Sequence, residues 1–370
     1  MIRFGKFPDL RVAVLARDAI LCAIKDAEID FDDIQFASFG HTRQGSCAGQ
    51  RVLSELGMTG IEIVNLDNAC SAGSTAFRNT YLYIASGIYD VGLAVGMEKM
   101  SDTIKGVIPP REDDLEGALG RVMPATFAMI ANRYMQDYGL TKETLAKVSV
   151  KNHKYGSLNP LAQYQKEFTI EEVLNSKMIC DPLTLYQCTP IGDGAAAAIL
   201  VSEDVLKKFA KKKPVEICAS VLNSGRATEP DRDITKSVAT IECAKKAYEI
   251  SGIAPEDIDV CELHDCFTIA EIIHYENLGF CKKGEGGRFI EEGKSEIGGK
   301  VAVNTSGGLL SKGHPLGATG VAQVCEIVWQ LREEAGKRQV PDAKVGMTHT
   351  MGGGVSGIET GACAVHIFKV

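Results

Sequence analysis

The chain has 370 residues, 45% of them hydrophobic, with a formal net charge of −8 and a pI near 5.5. It is long enough to bury a large core, and its acidity argues against nucleic acid or an anionic membrane as the main partner. Twelve cysteines without a Cys-x-x-Cys pair, seven scattered histidines and an opening Met1-Ile2-Arg3-Phe4-Gly5-Lys6 unlike a secretory leader predict reduced thiols, no metal and a cytoplasmic protein. No apolar run is long enough to span a bilayer, and His366-Ile367-Phe368-Lys369-Val370 is not a peroxisomal address.

Apolar residues at helical spacing over Val12–Ala27, followed by acidic turn residues and an apolar strand at 34–39, make a helix-to-strand unit. A second strand at 61–66 runs into Asn68-Ala69-Cys70-Ser71-Ala72-Gly73, where a helix begins. From 101 to 190 the pattern loosens around Pro109-Pro110, the acidic Glu112-Asp113-Asp114 and a helix at 125–138, and reads as a large excursion. Regular structure resumes in the small-residue strand Asp193–Val201, and the lysine-rich run 207–213 reads as a solvated bridge. A strand at 215–222 opens the second half.

Pairing Asp33-Ile34 with Asp257-Ile258, an offset of 224 (257 − 33), also pairs Ala23 with Ala247, Ile29 with Ile253 and Phe36 with Val260. The order of strand, glycine-rich turn and small-residue helix likewise occurs twice, at 64–76 and at 301–321. Two like halves follow, 1–208 and 209–370, and strands alternating with helices place them in the α/β class with mostly parallel sheets. The same offset sets a counterpart of the 215–222 strand before Met1, at the centre of its sheet. The expectation is that the native chain begins upstream of Met1 or that another segment occupies the slot.

Two places carry chemistry. Cys70 lies after a strand and at the start of a helix, where free N–H groups and the positive end of the helix dipole favour a thiolate. His314, within Asn304-Thr305-Ser306-Gly307-Gly308-Leu309-Leu310-Ser311-Lys312-Gly313-His314-Pro315, sits in a glycine-rich turn and is its natural base. The other eleven cysteines read as small buried hydrophobes. Gly286-Gly287 and Gly298-Gly299 read as turns, and Arg226 has no assigned role.

With His264-Asp265-Cys266-Phe267 added, the segments Asn68 to Gly73 and Gly313-His314-Pro315 resemble the thiolase superfamily over nearly the whole chain. The histidine-led tetrad is similar to the sterol-carrier-protein-2 branch and its prokaryotic acetyl-CoA acetyltransferase-like relatives. The resemblance implies a layered αβαβα fold with an inserted loop domain at about 101–190, and a cysteine acyl-enzyme that cleaves a 3-oxoacyl-CoA with CoA or runs the reverse Claisen condensation. CoA would be a co-substrate, with no tightly bound cofactor. Many relatives carry a second catalytic cysteine where this chain has Thr350, between His349 and Met351-Gly352-Gly353-Gly354, so the resemblance moves the acid/base role to Cys266. It assigns the enolate hole to His314 and His264, and the tetrahedral-intermediate hole to backbone donors at Cys70 and Gly352. It also implies a homodimeric core, possible help from a small zinc-ribbon/OB-fold partner, and substrates that include α-branched or aromatic acyl groups such as 2-benzoylsuccinyl-CoA. The lysine run could meet CoA phosphates, though a solvated charge run is the simpler reading. The alternatives are an acetoacetyl-CoA-forming biosynthetic thiolase, a ketoacyl or hydroxymethylglutaryl-CoA synthase-like condensing enzyme, and a non-catalytic acyl-CoA or lipid-binding scaffold.

Overall fold

A computed structural model describes residues 1–57, 60–110, 114–209, 212–226, 233–354 and 360–370. Glu112, Asp113 and Lys211 of the charged segments lie outside the described residues. The first half runs α1 (Val12–Ala27), β1 (Phe36–Gly40), α2 (Ala48–Ser54), β2 (Glu62–Leu66), α3 (Ala72–Ala85) and β3 (Val91–Lys99). The excursion holds α4 (Leu115–Ala118), α5 (Met123–Tyr138), α6 (Lys142–Ser157), α7 (Ile170–Leu174) and the short pair β4 (Met178–Cys180) and β5 (Leu183–Thr184). The chain then returns through β6 (Asp193–Val201) and α8 (Glu203–Phe209). The second half comprises β7 (Glu216–Asn223), α9 (Val238–Ser251), β8 (Val260–Glu262), α10 (Thr268–Asn277), α11 (Gly286–Glu291), β9 (Ala302–Val303), α12 (Gly308–Lys312), α13 (Thr319–Leu331), β10 (Val345–Gly354) and β11 (Thr360–Lys369).

Helix α1 forms where the period predicts. Its inward stripe of Leu15, Ala16, Ala19, Ile20 and Ile24 is buried, and Glu28 ends it in the left-handed region at φ 52°. The repeat offset holds at the level of single residues: the 3-10 turns Phe31–Asp33 and Pro255–Asp257 correspond, and β1 and β8 begin at Phe36 and Val260. The first sheet has the order β2-β1-β3-β6, with β1 parallel to both neighbours and β6 antiparallel to β3. The second has the order β7-β11-β10-β8-β9. Removing β7 leaves β9-β8-β10-β11, the same arrangement as β2-β1-β3-β6. Helix α1 covers the outer face of the first sheet, α3 and α13 pack against each other between the sheets, and α9 covers the second sheet with α10 packed beside it. That is the expected five-layer stack.

One expectation is corrected. Strand β7 lies at the edge of its sheet beside β11, so its first-half counterpart would not be central. An edge strand satisfies only one row of ladder groups. At the outer edge of β6, Gly5 forms an antiparallel bridge with Asp193, and Ile2 N–H donates to the Ala195 carbonyl at 3.1 Å.

The lysine run behaves as a solvated bridge: Lys208 meets Asp33 at 3.0 Å, and Lys212 meets Asp26 at 2.7 Å and Glu334 at 3.1 Å. Arg226 pairs with Glu242 at 2.7 Å. Among the described residues, no helix is long and apolar enough to cross a membrane.

Candidate active site

Strand β2 delivers Cys70 into a tight turn. Ala69 adopts φ 49°, a conformation that costs a non-glycine residue energy, and Ser71 N–H donates to the Asn68 carbonyl at 3.0 Å as the chain turns into α3. The glycines of the two halves let backbone meet backbone here. A Cβ on Gly73 would stand 2.5 Å from the Gly317 carbonyl oxygen, and one on Gly320 would stand 2.3 Å from Ser74 N. No larger residue fits at either point.

His314 follows α12 and is oriented by Thr319. Its Nδ1 lies 2.7 Å from Thr319 Oγ1, while that hydroxyl donates its only proton to the Pro315 carbonyl at 2.9 Å. Thr319 must therefore accept from His314 Nδ1–H, which leaves Nε2 with a free lone pair. Glu98, at the end of β3, fastens this turn to the first half: it accepts from Gly317 N–H at 3.1 Å and Thr42 N–H at 2.9 Å, and also from Gln44.

The His264-Asp265-Cys266 turn leaves β8. Asp265 is fully buried and accepts from Leu309 N–H at 2.7 Å and Leu310 N–H at 3.3 Å, the first turn of α12. It thereby caps from outside the helix that leads into His314 and ties the two histidine-bearing turns together. Burial, then the charge of Glu271, raise its carboxyl to about 8. The excursion reaches beneath this turn through α6. Asn152 donates to Asp265 at 2.8 Å and to Glu271 at 2.7 Å, and Lys151 meets Glu271 at 2.7 Å. A second fully buried ion pair joins Lys312 to Glu262 at 3.2 Å.

These elements bring Cys70, His264 and His314 together: the thiol sulfur and one ring nitrogen of each histidine lie within 4.8 Å of one another. The two imidazoles meet edge to face with centroids 5.0 Å apart. Cys266 is not one of the three, yet Cys70 is among the groups whose charge acts on it. Gly352 presses against the turn of Cys70, where a Cβ would come within 2.1 Å of the Asn68 carbonyl oxygen. The neighbouring Gly353 supplies the backbone hydrogen bond to the Cys70 thiol. Thr350 donates to Ser74 at 2.9 Å, and His349 stands behind His264, its Nδ1 accepting from His264 N–H at 3.4 Å.

Electrostatics amend the sequence reading of Cys70. Desolvation dominates the hydrogen bond from Gly353 and pushes the thiol up to about 12, so the resting residue is a thiol. Burial holds His264 down at about 3, and burial followed by the neighbouring His264 and Lys312 holds His314 well below its usual range. Both imidazoles are neutral at pH 7 and able to accept a proton. Burial, followed by Cys70, keeps Cys266 protonated, far above the usual thiol range.

Beside Gly353 a depression of about 80 Å³ opens between the excursion and the second half, lined mostly by apolar groups such as Phe127, Ile130, Ile273 and Met351, with Arg121 and Lys236 also on its wall. Phe127 stacks on Phe267 at 4.5 Å, next to Cys266. Sequence reasoning missed Glu98, Asp265 and Thr319 as residues that hold the site. Only the position of Asp265 between two named residues gave a signal.

The sequence profile of the thiolase N-terminal domain matches residues 1–204, and that of the thiolase C-terminal domain-like region matches residues 221–361. The chain belongs to the thiolase family. It is 43% identical to an acetyl-CoA acetyltransferase of Methanothermobacter thermautotrophicus, covering 99% of this chain and 97% of that one. It is also 43% identical to the benzoylsuccinyl-CoA thiolase subunit BbsB of Thauera aromatica, covering 95% and 92%, and 42% identical to sterol carrier protein 2 of Bos taurus, covering 98% and 68%. Among solved structures, the Ltp2-ChsH2(DUF35) aldolase superposes with a TM-score of 0.85 at 26% identity, over 100% of this thiolase and 95% of that chain.

Proposed function

We propose that this thiolase, a CoA-dependent acyltransferase, works through an acyl thioester on Cys70. The observation that carries the reading is the gathering of one thiol and two neutral imidazoles within 4.8 Å, at the meeting of the two halves. His314 Nε2 takes the Cys70 proton as the sulfur attacks the 3-oxo carbonyl of a 3-oxoacyl-CoA. Backbone N–H groups of Cys70 and the Gly352-Gly353 segment stabilise the tetrahedral oxyanion. The carbon–carbon bond then breaks, its electron pair passing to the α-carbon of the departing acyl-CoA as an enolate that faces His264 and His314. Cys266 protonates that carbon; the thiol of a second CoA then gives its proton to the Cys266 thiolate and attacks the thioester, and Cys70 leaves with the proton held by His314. CoA is thus a co-substrate, and the reverse sequence is a Claisen condensation.

The apolar depression beside Gly353 supports an acyl group with a branched or aromatic body, as does the benzoylsuccinyl-CoA thiolase among the relatives. A two-protein assembly among the solved structures supports a second small subunit here, of the zinc-ribbon/OB-fold kind. The partly exposed edge strand β2 supports a homodimeric core.

The test is a panel of linear, α-branched and aryl 3-oxoacyl-CoAs, each assayed for CoA-dependent cleavage with and without co-purified protein. Intact mass should show the acyl increment on Cys70. The aldolase among the structural neighbours gives a competing outcome, because aldol cleavage releases a free carbonyl compound and leaves the protein mass unchanged.

Cys266→Ala should still acylate Cys70 from a simple acyl-CoA, yet lose α-proton exchange and carbon–carbon cleavage by about 10²- to 10⁴-fold, the usual contribution of a general acid. Near-normal exchange of deuterium into acetyl-CoA by that variant would give the acid role to another group.

A further inference from the structure

Cys70, His264 and His314 present one sulfur and two imidazole nitrogens to a common point. We infer that this cluster is also a binding site for a soft divalent cation of the Zn²⁺ type, which occupies all three side chains and reversibly blocks the nucleophile.

One thiolate and two imidazoles are a donor set that suits zinc, and three protein ligands with an open fourth position are the pattern of accessible zinc sites. Bonds of about 2.3 Å to sulfur and 2.0–2.1 Å to nitrogen set tetrahedral ligands roughly 3.5 Å apart. Atoms already within 4.8 Å need to close by about 1 Å, within the reach of side-chain rotation.

Two further observations point to a ligand here. His264 is 3% exposed, and its Nδ1 has no hydrogen-bond partner among the described residues, so no protein group competes for that nitrogen. His314 already has the outer support that metal-bound histidines show, its Nδ1–H fixed on Thr319 so that Nε2 is free to bind. Cys70 is partly exposed, which gives the ion a way in, whereas Cys266 stands outside the trio and keeps its thiol.

Binding forms a zinc–sulfur bond and two zinc–nitrogen bonds and releases the Cys70 thiol proton to solvent, with no change of oxidation state. The bound ion fills the place where the 3-oxo carbonyl would stand, so metal and acyl-CoA exclude each other. The coordination rests on geometry, whereas the block and its release by acetyl-CoA rest on the reading of Cys70 as the nucleophile, so the spectrum and stoichiometry test the site apart from that reading.

The experiment uses full-length protein in a Cys22→Ser/Cys47→Ser background, which removes the two exposed thiols. Equilibrium dialysis with Zn²⁺ alone should give one ion per chain, displaced by saturating acetyl-CoA and removed by EDTA with full return of activity. Co²⁺ in its place should give the near-ultraviolet thiolate charge-transfer band and the visible bands of a tetrahedral site. Cys70→Ala should abolish the charge-transfer band, and Thr319→Val, which removes the support of His314, should weaken binding about 10- to 100-fold. Unchanged stoichiometry and affinity in Cys70→Ala, or zinc that acetyl-CoA does not displace, would mean an adventitious ion only and overturn the inference. If Cys70→Ala fails to fold, loss of the band in His314→Gln supports the site and its persistence there overturns it.

Discussion

Cys70→Ala is expected to lower CoA-dependent cleavage by at least about 10⁴-fold, in line with removal of a covalent nucleophile, and to leave no acyl increment on the protein. The substitution removes one sulfur atom from a turn whose geometry is set by Ala69, Ser71 and the glycines facing it, so acyl-CoA binding and the melting temperature should change little. Intact mass after incubation with a slow substrate, together with calorimetric binding of the acyl-CoA, separates chemistry from affinity. An acyl group found on the alanine variant, or mapped to another cysteine in the parent, removes Cys70 from the role.

Acid should unfold the protein well above the range where carboxylates protonate. Burial depresses six histidines: His153 to about 4, His264, His274 and His366 to about 3, and His314 and His349 well below the ordinary value. Each is neutral when folded and titrates near 6.5 when unfolded, so the unfolded state binds the extra protons and stability falls as pH drops below that value. At pH 5 each such group costs about 2 kcal/mol, and six together cost on the order of 10 kcal/mol. That is comparable to the whole stability of an ordinary domain, about 5–15 kcal/mol. The single tryptophan, Trp329 on α13, reports the loss of packing between the sheets. Its fluorescence should hold down to about pH 6.5 and change cooperatively near pH 5; an unaltered spectrum at pH 4.5 defeats the argument.

Much of this architecture is legible in the chain. The stripe on α1 and the small-residue strand β6 follow directly from periodicity, and one offset of 224 (257 − 33) aligns turns and strand starts in both halves. Motifs also name Cys70, His264 and His314 before any fold is known. What escapes is whatever depends on distant partners. Glu98 is an ordinary acidic residue until Gly317, far along the chain, comes to rest on it, and Asp265 caps a helix more than forty residues away. The state of Cys70 is misjudged for the same reason: a strand-to-helix position suggests a lowered thiol, whereas the burial that decides the matter comes from both halves. The edge position of β7 rests on long-range pairing with β11, which no local pattern encodes.

The backbone contact between Gly73 and Gly317 has a consequence for biogenesis. Cys70 and His314 belong to different halves, and the turn that carries His314 is fastened by Glu98 of the first half. During synthesis the first half emerges early, with Cys70 present and His264 and His314 not yet made. A nascent or half-folded chain therefore carries Cys70 as an ordinary solvated thiol, and both its burial and its imidazole neighbours arrive with completion of the fold.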